Sequence, residues 1–337
     1  MKDLIIERLL MLPMVLNLFD ANPNTQVTTA NTTGNDLSPE MKTYYSDYLI
    51  DLMEAELIHD RFGQQAPIPK NGGKTIEFRR YDSLPELTTP LTEGVTPDGQ
   101  NLNVSVITAT VKQYGGYVTL SDMLIMTAID NNVIQATKLI ASQAGRTMDG
   151  TTRDVLNAGT VVRYCGGKTT RAALTPVDGE CNITVDDVRK AVRDLEAQDA
   201  PRINGYYIGI IHPSVKYDLM SDLKWEEPHT YADTTEIYEN EIGRLYGVRF
   251  IENTRAKVFK NAGANNADVY STLIFGRDAY GVTPISGNGV EHIVKQLGSG
   301  GSNDPLNQRA TVGWKGVKAA EILVEQYMVR VESTASD

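Results

Sequence analysis

The stretch Lys74-Thr75-Ile76-Glu77-Phe78-Arg79-Arg80-Tyr81 alternates polar and apolar side chains with the two-residue period of a β-strand. A polar segment rich in Pro, Thr, Gly and acidic residues follows, and the chain returns as Leu102-Asn103-Val104-Ser105-Val106-Ile107. The two stretches predict a wide two-stranded hairpin. An isolated hairpin is only marginally stable in water because it has few apolar neighbours. We therefore expect that the core of its own domain does not include the hairpin, and that a second copy of the protein supports it.

Charged residues of the hairpin are candidate contacts with an adjacent subunit. They are Arg79, Arg80, Glu86, Glu93 and Asp98. A solvated face would also carry charged side chains, but the hairpin is expected to need a partner, so we favour ion pairs across a subunit interface. Exposed ion pairs contribute little each, and every one of these residues is expected to add only a small part of the interface energy.

The length and composition are those of an ordinary globular protein. The chain has 337 residues, of which 41% are hydrophobic, and this length leaves room for about two domains. Its 43 acidic and 32 basic residues give a formal net charge of -11, and no basic run is longer than the pair Arg79-Arg80. A protein that reads a nucleic-acid sequence usually has a basic stripe. Direct recognition of DNA is therefore not expected.

Residues 1–18 are apolar enough to be compared with a secretory signal. Against that reading, Asp3 and Glu7 lie where a signal would be purely basic, and Pro13 interrupts the apolar run. We interpret the stretch as a short amphipathic helix, or as sequence upstream of a start at Met14. No apolar stretch is long enough to span a bilayer, so the sequence predicts no contact with a membrane.

The first half of the chain is predicted to contain an arm and three helices. Residues 21–37 are rich in Asn, Thr, Pro and Gly and predict an extended arm. Ser38 is expected to cap a helix that ends at Gly63, and Ser121 to cap a short helix through Ile129. A long helix is predicted over residues 131–157, with an apolar side made of Ile134, Leu139, Ile140, Met148, Val155 and Leu156.

The second half has the pattern of a separate α/β unit. Thr184 is expected to cap a helix that ends at residue 200, and an apolar run predicts a buried strand over residues 206–211. Two further strands are predicted, over residues 248–252 and 270–275. The last run, residues 310–332, is interpreted as strands that return to the first unit, with Trp314 as a core anchor.

Searches for catalytic patterns find none that fits. A phosphate-binding loop needs a Gly five residues before Gly-Lys-Ser/Thr, but Ile68 occupies that position for Gly73-Lys74-Thr75 and Val162 for Gly167-Lys168-Thr169. The four histidines are scattered without metal-ligand spacing, and Cys165 and Cys181 are interpreted as two free thiols. The sequence therefore predicts no enzyme activity, no catalytic residue, no cofactor and no metal.

Several longer stretches carry a resemblance to a known family. They are Pro67-Ile68-Pro69-Lys70-Asn71-Gly72-Gly73-Lys74-Thr75-Ile76-Glu77-Phe78, Leu91-Thr92-Glu93-Gly94-Val95-Thr96-Pro97-Asp98-Gly99, Ala128-Ile129-Asp130-Asn131-Asn132, Asp304-Pro305-Leu306-Asn307-Gln308-Arg309 and Gly313-Trp314-Lys315. In these the chain resembles the major capsid proteins of tailed bacteriophages with the Hong Kong 97-type fold, and within them the family of the phage N4 coat protein. The resemblance covers most of the chain from Leu37 onward.

The resemblance implies an α+β, Hong Kong 97-like capsid fold with five parts. They are an N-terminal arm (1–37), an N-terminal helix (38–66), an extended β-hairpin loop (67–115), a peripheral domain built on a spine helix (116–160 and 295–337), and an α/β axial domain (161–294).

The resemblance also implies a structural function. Many copies would form pentamers and hexamers that close into an icosahedral phage head around double-stranded DNA, and the acidic composition would let the shell enclose DNA without sequence-specific binding. Fewer than forty residues precede the first predicted helix, so a separate scaffolding protein is expected. Further implied partners are a portal at one vertex and, in some shells, a decoration protein. The expected location is the virion, after assembly in the host cytoplasm.

Two alternatives remain at this point. An encapsulin-like bacterial compartment would keep the fold and enclose a cargo enzyme instead of DNA. A soluble α/β enzyme would need a convergent polar pocket within residues 165–286, where the sequence offers no candidate nucleophile, base or cofactor loop.

Overall fold

A computed structural model describes residues 57–67, 74–81, 84–96, 98–127, 132–222, 225, 241–284, 290–299 and 304–336. The predicted arm and nearly all of the first predicted helix lie outside the described residues. Within the described ranges the protein is a mixture of helices and strands, and its sheets pack against one long helix and several short ones.

The helices whose bounds the structure describes follow the predicted order. They are α1 (Asp122–Thr127), α2 (Asn132–Leu156), α3 (Val185–Glu196) and α4 (Pro213–Met220), with short 3-10 helices at Cys165–Gly167, Arg171–Ala173, Val177–Gly179, Ala264–Asn266 and Glu325–Tyr327. Ser121 accepts a hydrogen bond at Oγ from the backbone N–H of Leu124 (3.2 Å), which confirms its predicted capping role. Among the described residues, no helix combines the length and apolar character that crossing a membrane requires.

The strands form four sheets within the described residues. They are β1 (Gln64–Gln65), β2 (Thr75–Tyr81), β3 (Val104–Thr110), β4 (Lys112–Ser121), β5 (Val162–Tyr164), β6 (Tyr207–Ile211), β7 (Glu241–Leu245), β8 (Val248–Glu252), β9 (Val258–Phe259), β10 (Val269–Phe275), β11 (Tyr280–Val282), β12 (Val290–Lys295), β13 (Arg309–Lys318), β14 (Ala320–Ile322) and β15 (Met328–Ser333). The sheets are β2-β3, β12-β13-β4, β1-β11-β14 and the seven-stranded β5-β15-β10-β6-β8-β7, in which β9 pairs with β10.

Helix α2 is continuous over its 25 residues and spans about 38 Å. Its predicted apolar side is confirmed for Ile140, Met148 and Leu156, which are buried. The prediction is wrong for Leu139 and Ile134, which are 70% and 37% exposed. Small residues take part in the buried side instead, because they let the neighbouring sheet approach closely; they are Ala136, Ala141, Ala144 and Gly145.

The three-stranded sheet β12-β13-β4 packs on α2. Strands β13 and β4 pair in antiparallel register along their whole length, from Arg309 opposite Ser121 to Lys318 opposite Lys112. Trp314 of β13 is buried against the helix, which confirms it as a core anchor. Its indole N–H donates a hydrogen bond to Gln143 Oε1 at 3.3 Å, so the polar edge of the ring is satisfied.

The seven-stranded sheet is the core of the second unit. Helix α3 packs on it and begins with a capping box, in which Thr184 and Asp187 exchange hydrogen bonds with each other's backbone N–H groups. All five residues of β6 are buried, as predicted from its continuous apolar run. The predicted strands at 248–252 and 270–275 correspond to β8 and β10.

The C-terminal run differs from its prediction in its last part. Strand β13 returns to β4 of the first unit as expected, but β15 pairs with β10 on one side and β5 on the other, inside the seven-stranded sheet. The expectation that the whole run returns to the first unit is therefore wrong. All six residues of β15 are buried, and the charge of Glu332 is met by Arg171 and Arg330. Alternation alone identified a strand but could not indicate which sheet receives it.

Candidate inter-subunit surface

The predicted hairpin is present as the pair β2 and β3. The two strands are antiparallel, and their register runs from Thr75 opposite Thr110 to Tyr81 opposite Val104. Successive side chains of a strand point to opposite faces. The base of the hairpin, defined as residues 75–81 and 104–110, therefore has two faces with different surroundings.

The inner face of the base packs on the protein itself. Ile76, Phe78 and Ala109 are buried in a cluster with residues from the region after β13, namely Ala319, Leu323 and Val324. A Cβ atom added to Gly281 would overlap the ring of Phe78, so a glycine is needed where β11 passes the hairpin. The expectation that the protein's own core does not include the hairpin is therefore wrong for the base, because the alternating pattern supplies a small apolar face that this cluster covers.

The outer face of the base is exposed to solvent. Glu77 and Arg79 lie there, with a separation of 3.9 Å between Arg79 Nη2 and Glu77 Oε2, and both side chains are more than half exposed. A long contact between two exposed charges contributes little stability. Val104 and Val106 are also exposed, so this face combines charged and apolar groups.

Beyond the base, the hairpin loop is exposed throughout its described residues, 84–96 and 98–103. It contains neither helix nor strand. Leu87 and Leu91 are 81% and 76% exposed, and further exposed apolar residues are Leu84, Val95 and Leu102. Five large apolar side chains in one exposed loop are unusual for a monomeric soluble protein and typical of a contact surface.

The loop has charge of one sign. Residues 82–103 contain the acidic residues Asp82, Glu86, Glu93 and Asp98, and no Lys or Arg. Within the described part of the chain, no ion pair reaches Glu86, Glu93 or Asp98. A surface that receives this loop would be most favourable if it were apolar and carried positive charge.

The five predicted contact residues do not form one cluster. Arg79 and Arg80 are adjacent in β2 and so point to opposite faces of the base. Glu86, Glu93 and Asp98 are spread along the loop and are exposed. A contact role for all five stays a prediction.

A groove of about 650 Å³ lies on the face of the three-stranded sheet that points away from α2. Its floor includes Gly115 and Gly313, which have no side chains to fill it. Lys295, Arg309 and Lys315 line the groove together with the apolar side chains of Tyr117 and Ile293, and Asp304 is the acidic residue of the lining. The groove is therefore partly apolar and mainly basic, which is the opposite charge to the hairpin loop.

Helix α1 extends the apolar surface next to this sheet. It has no buried residue, and Met126 is 77% exposed, with Met123, Leu124 and Ile125 also exposed. The backbone N–H of Asp122 bonds to the carbonyl of Gln308, so the helix lies beside the start of β13. Exposed methionine and leucine side chains in one short helix indicate a surface that another molecule covers.

Sequence reasoning missed the groove and the surface of α1. The groove is assembled from three strands that are far apart in the sequence, and only their pairing brings Gly115 beside Lys315 and Ile293 beside Gly313. Glycines within strand patterns, such as Gly115-Gly116 and Gly313, were the available signal, because a glycine there often marks the close approach of another backbone.

The fold is that of phage capsid proteins, as comparison with solved structures shows. The capsid of Ralstonia phage GP4 matches with a TM-score of 0.62 and 13% identity, covering 79% of this chain and 85% of that chain. The capsid of the cyanophage P-SCSP1u matches with a TM-score of 0.60 and 14% identity, covering 83% and 89%. The mature capsid of bacteriophage PhiM1 matches with a TM-score of 0.56 and 14% identity, covering 82% and 86%.

A family model confirms the relationship at the level of sequence. The model described as phage capsid protein matches residues 105–329, which is more than half of the chain, and the chain belongs to this family. No curated protein sequence matches it significantly. The predicted Hong Kong 97-like capsid fold is confirmed as a fold, whereas the finer resemblance to the phage N4 coat protein stays a prediction.

Family membership identifies a major capsid protein, a structural component of the bacteriophage virion. The prediction that the protein is not an enzyme is confirmed on this basis, and the soluble-enzyme alternative is rejected. The family is viral, so the reading as an encapsulin-like compartment loses its support. Capsid assembly requires that copies of the protein bind one another. Among the described residues, the hairpin loop, the groove and α1 are exposed surfaces that could take part in it.

Proposed function

We propose that many copies of this protein form pentamers and hexamers, which close into an icosahedral head around double-stranded DNA. The observation that supports this proposal is the exposed apolar loop, residues 84–103, on a hairpin whose base is fixed in the protein's own core. A fixed base holds the loop away from the body and presents it to a neighbour, so that binding does not require the whole hairpin to become ordered.

The proposed domain organisation follows the sequence prediction, with one change. The arm is residues 1–37, the N-terminal helix 38–66, the extended loop 67–115, the peripheral domain 116–160 and 295–337, and the axial domain 161–294. Helix α2 and the three-stranded sheet support the peripheral domain, with α2 as its spine helix, and the seven-stranded sheet supports the axial domain. Because β15 lies in the seven-stranded sheet, we assign residues 328–333 to the axial domain.

In the proposed contact, the hairpin loop of one copy lies over the groove and α1 of the next. Its leucines cover apolar surface, and Glu86, Glu93 and Asp98 face the basic residues Lys295, Arg309 and Lys315. Arg79, on the exposed outer face of the base, meets acidic groups of the neighbour, and a similar contact for Arg80, which points to the other face, stays a prediction. Each contact is modest, but every copy both gives and receives a loop, and a closed lattice makes these contacts simultaneous.

Further partners belong to the same proposal. A separate scaffolding protein guides assembly in the host cytoplasm, a portal occupies one vertex, and a decoration protein is an optional addition. The net charge of -11 supports a shell that encloses DNA without binding it tightly, because phosphate groups are repelled by an acidic surface.

A deletion of residues 83–99 tests the role of the loop. We expect a folded protein that no longer assembles, because the base keeps its packing while the exposed leucines and acids are lost. Circular dichroism would check the fold and negative-stain electron microscopy would check for particles. Normal particles from the deletion variant would refute the proposed role.

A double substitution, Leu87→Asn with Leu91→Asn, tests the same role without shortening the chain. Val177 is a matched control, since it is also an exposed apolar residue (53%) but lies in the second unit. We expect the double variant to lose particles and the Val177→Asn variant to keep them. Equal yields of particles from both would contradict the assignment of the contact to the loop.

A further inference from the structure

Residues 57–66 enter the body of the protein where several elements meet. Strand β1 pairs with β11, and Tyr280 of β11 donates its hydroxyl hydrogen to the backbone carbonyl of His59. His59 and Asp60 are buried, with bonds to α2 and to the end of β13. The chain is therefore fixed to the body at His59 and Asp60 by buried hydrogen bonds.

Lys318, the last residue of β13, is in direct contact with Asp60. The side chain of Lys318 is 0% exposed and that of Asp60 is 9% exposed. Lys318 Nζ lies 2.5 Å from Asp60 Oδ2 and 3.3 Å from the carbonyl oxygen of Thr283. Burial of two opposite charges is costly, and transfer of one proton from Nζ to the carboxylate converts them into a neutral amine and a neutral acid with no change in net charge.

The carboxyl group of Asp60 is oriented and polarised by its surroundings. Thr152 Oγ1 donates a hydrogen bond to Asp60 Oδ1 at 2.5 Å, so that Oδ2 is the oxygen that faces Nζ. Burial raises the pKa of Asp60, and the negative charge of Asp149 acts in the same direction, against the lowering effects of Lys318 and Thr152. The pKa shift is therefore toward the neutral acid, which is the form that an amine can attack.

A second titratable pair lies in the same buried cluster. His59 Nδ1 is 2.8 Å from Asp149 Oδ2, and the backbone N–H of His59 donates to Asp149 Oδ1 at 2.7 Å. Nε2 of His59 is buried and has no hydrogen-bond partner among the described residues. The imidazole of His59, the residue next to Asp60 in sequence, therefore presents an unbonded ring nitrogen in the buried interior.

We propose that Lys318 and Asp60 condense to form an amide within the folded chain. In the neutral pair, Nζ attacks Cγ of Asp60, a C–N bond forms, and the C–O bond to Oδ2 breaks. One hydrogen from Nζ and the acid hydrogen leave with Oδ2 as a water molecule, and Oδ1 remains as the amide carbonyl held by Thr152. The His59–Asp149 pair is the group of this cluster that can carry the proton between nitrogen and oxygen.

The fold supplies what this reaction lacks in water. Amines and carboxylic acids do not condense in dilute solution, but intramolecular groups that are well oriented for reaction reach effective concentrations of about 10⁵–10⁸ M. Burial also excludes the water that would reverse the reaction. No oxidant, metal or second enzyme is needed, because one water molecule is the only product released.

The amide would give the protein a property beyond shell assembly. It would join positions that are 258 residues apart in sequence and fasten the segment that follows the N-terminal region to the three-stranded sheet. A force that acts on the first 56 residues could then not pull this segment out of the body without breaking a covalent bond.

Mass spectrometry of the purified full-length wild-type protein tests the proposal directly. We expect a mass lower than the sequence mass by one water molecule. Trypsin should fail to cut after Lys318, and peptide 43–61 should be recovered joined to peptide 316–330. An unmodified mass, with normal cleavage after Lys318, would overturn the proposal and leave an ordinary buried ion pair.

Two variants complete the test. Lys318→Arg keeps the positive charge but should show no joined peptides, whereas Lys260→Arg changes an exposed lysine and should keep them. Joined peptides that persist in Lys318→Arg would contradict the assignment of the bond to Lys318. The decisive measurement is made on the wild-type protein, so it stands even where a variant fails to fold, and it is independent of whether particles form.

Discussion

The base and the loop of the hairpin are parts of one ribbon with opposite relationships to the protein. In the base, Ile76 and Phe78 are buried against the protein's own residues, whereas Leu87 and Leu91 in the loop are almost fully exposed. Apolar residues thus stabilise the fold in one half of the ribbon and remain available for a partner in the other. The difference teaches that the same ribbon contributes to the protein's own core at its base and leaves apolar surface for a neighbour to cover in its loop.

The largest expected effect is a loss of stability from a substitution in the base, which a substitution in the loop should not cause. Phe78→Ala removes a buried ring and should lower the free energy of unfolding by about 3–5 kcal/mol. Leu87→Ala should change it by less than about 0.5 kcal/mol, yet should reduce the yield of particles. Urea denaturation of the unassembled protein measures the first quantity and electron microscopy the second. Similar losses of stability in both variants would remove the distinction between base and loop.

The next effect concerns the buried carboxylate of Asp149, which is bonded to His59. The acidic residues of the hairpin loop, in contrast, are exposed. Although burial raises the pKa of Asp149, hydrogen bonds from His59 lower it overall. The stabilisation is therefore present above the pKa of the unfolded chain, about 3.9, and is lost as the pH falls through the lower pKa of the folded state.

The variant Asp149→Asn makes this contribution measurable. It should cost about 1–3 kcal/mol at neutral pH, because His59 loses a charged acceptor, and it should flatten the dependence of stability on pH below about 4. Denaturant titrations of both proteins across this range provide the check. Identical pH profiles would show that Asp149 does not titrate as expected.

The smallest effect tests charge complementarity between the loop and the groove. Glu93→Lys and Lys295→Glu should each weaken assembly by about 0.2–1 kcal/mol per contact, and the double variant should recover it. Light scattering as a function of protein concentration would measure the critical concentration. Rescue should be strongest at low salt. Additive losses in the double variant would mean that the two residues do not meet.

Much of the fold could be predicted because it depends on local patterns. Each of three local signals indicates one element by itself. The two-residue period of residues 74–81 indicates β2, the cap at Thr184 indicates α3, and a continuous apolar run indicates β6. The partners of those elements could not be predicted in the same way. The sequence of β15 is compatible with either sheet, and only its pairing with β10 and β5 decides between them.

The candidate surface was predictable to a smaller extent. The acidic loop residues could be named from the sequence, because an excursion rich in Pro, Thr and acids is visible there. The groove that would receive them depends on cross-strand neighbours such as Lys315 and Gly115, which are about 200 residues apart in the chain and meet only when non-local strands pair. Leu139 shows the same limit on a helix, since periodicity indicates an apolar side but not how much of it a neighbour covers.

The position of β15 has a consequence for the timing of synthesis. This strand lies between β10 and β5, so the largest sheet cannot close until the ribosome has released residue 333. Until then, β10 and β5 keep unpaired backbone groups along the edges that β15 covers. A product that stops short of β15 lacks an interior strand of that sheet, so β10 and β5 have no strand between them.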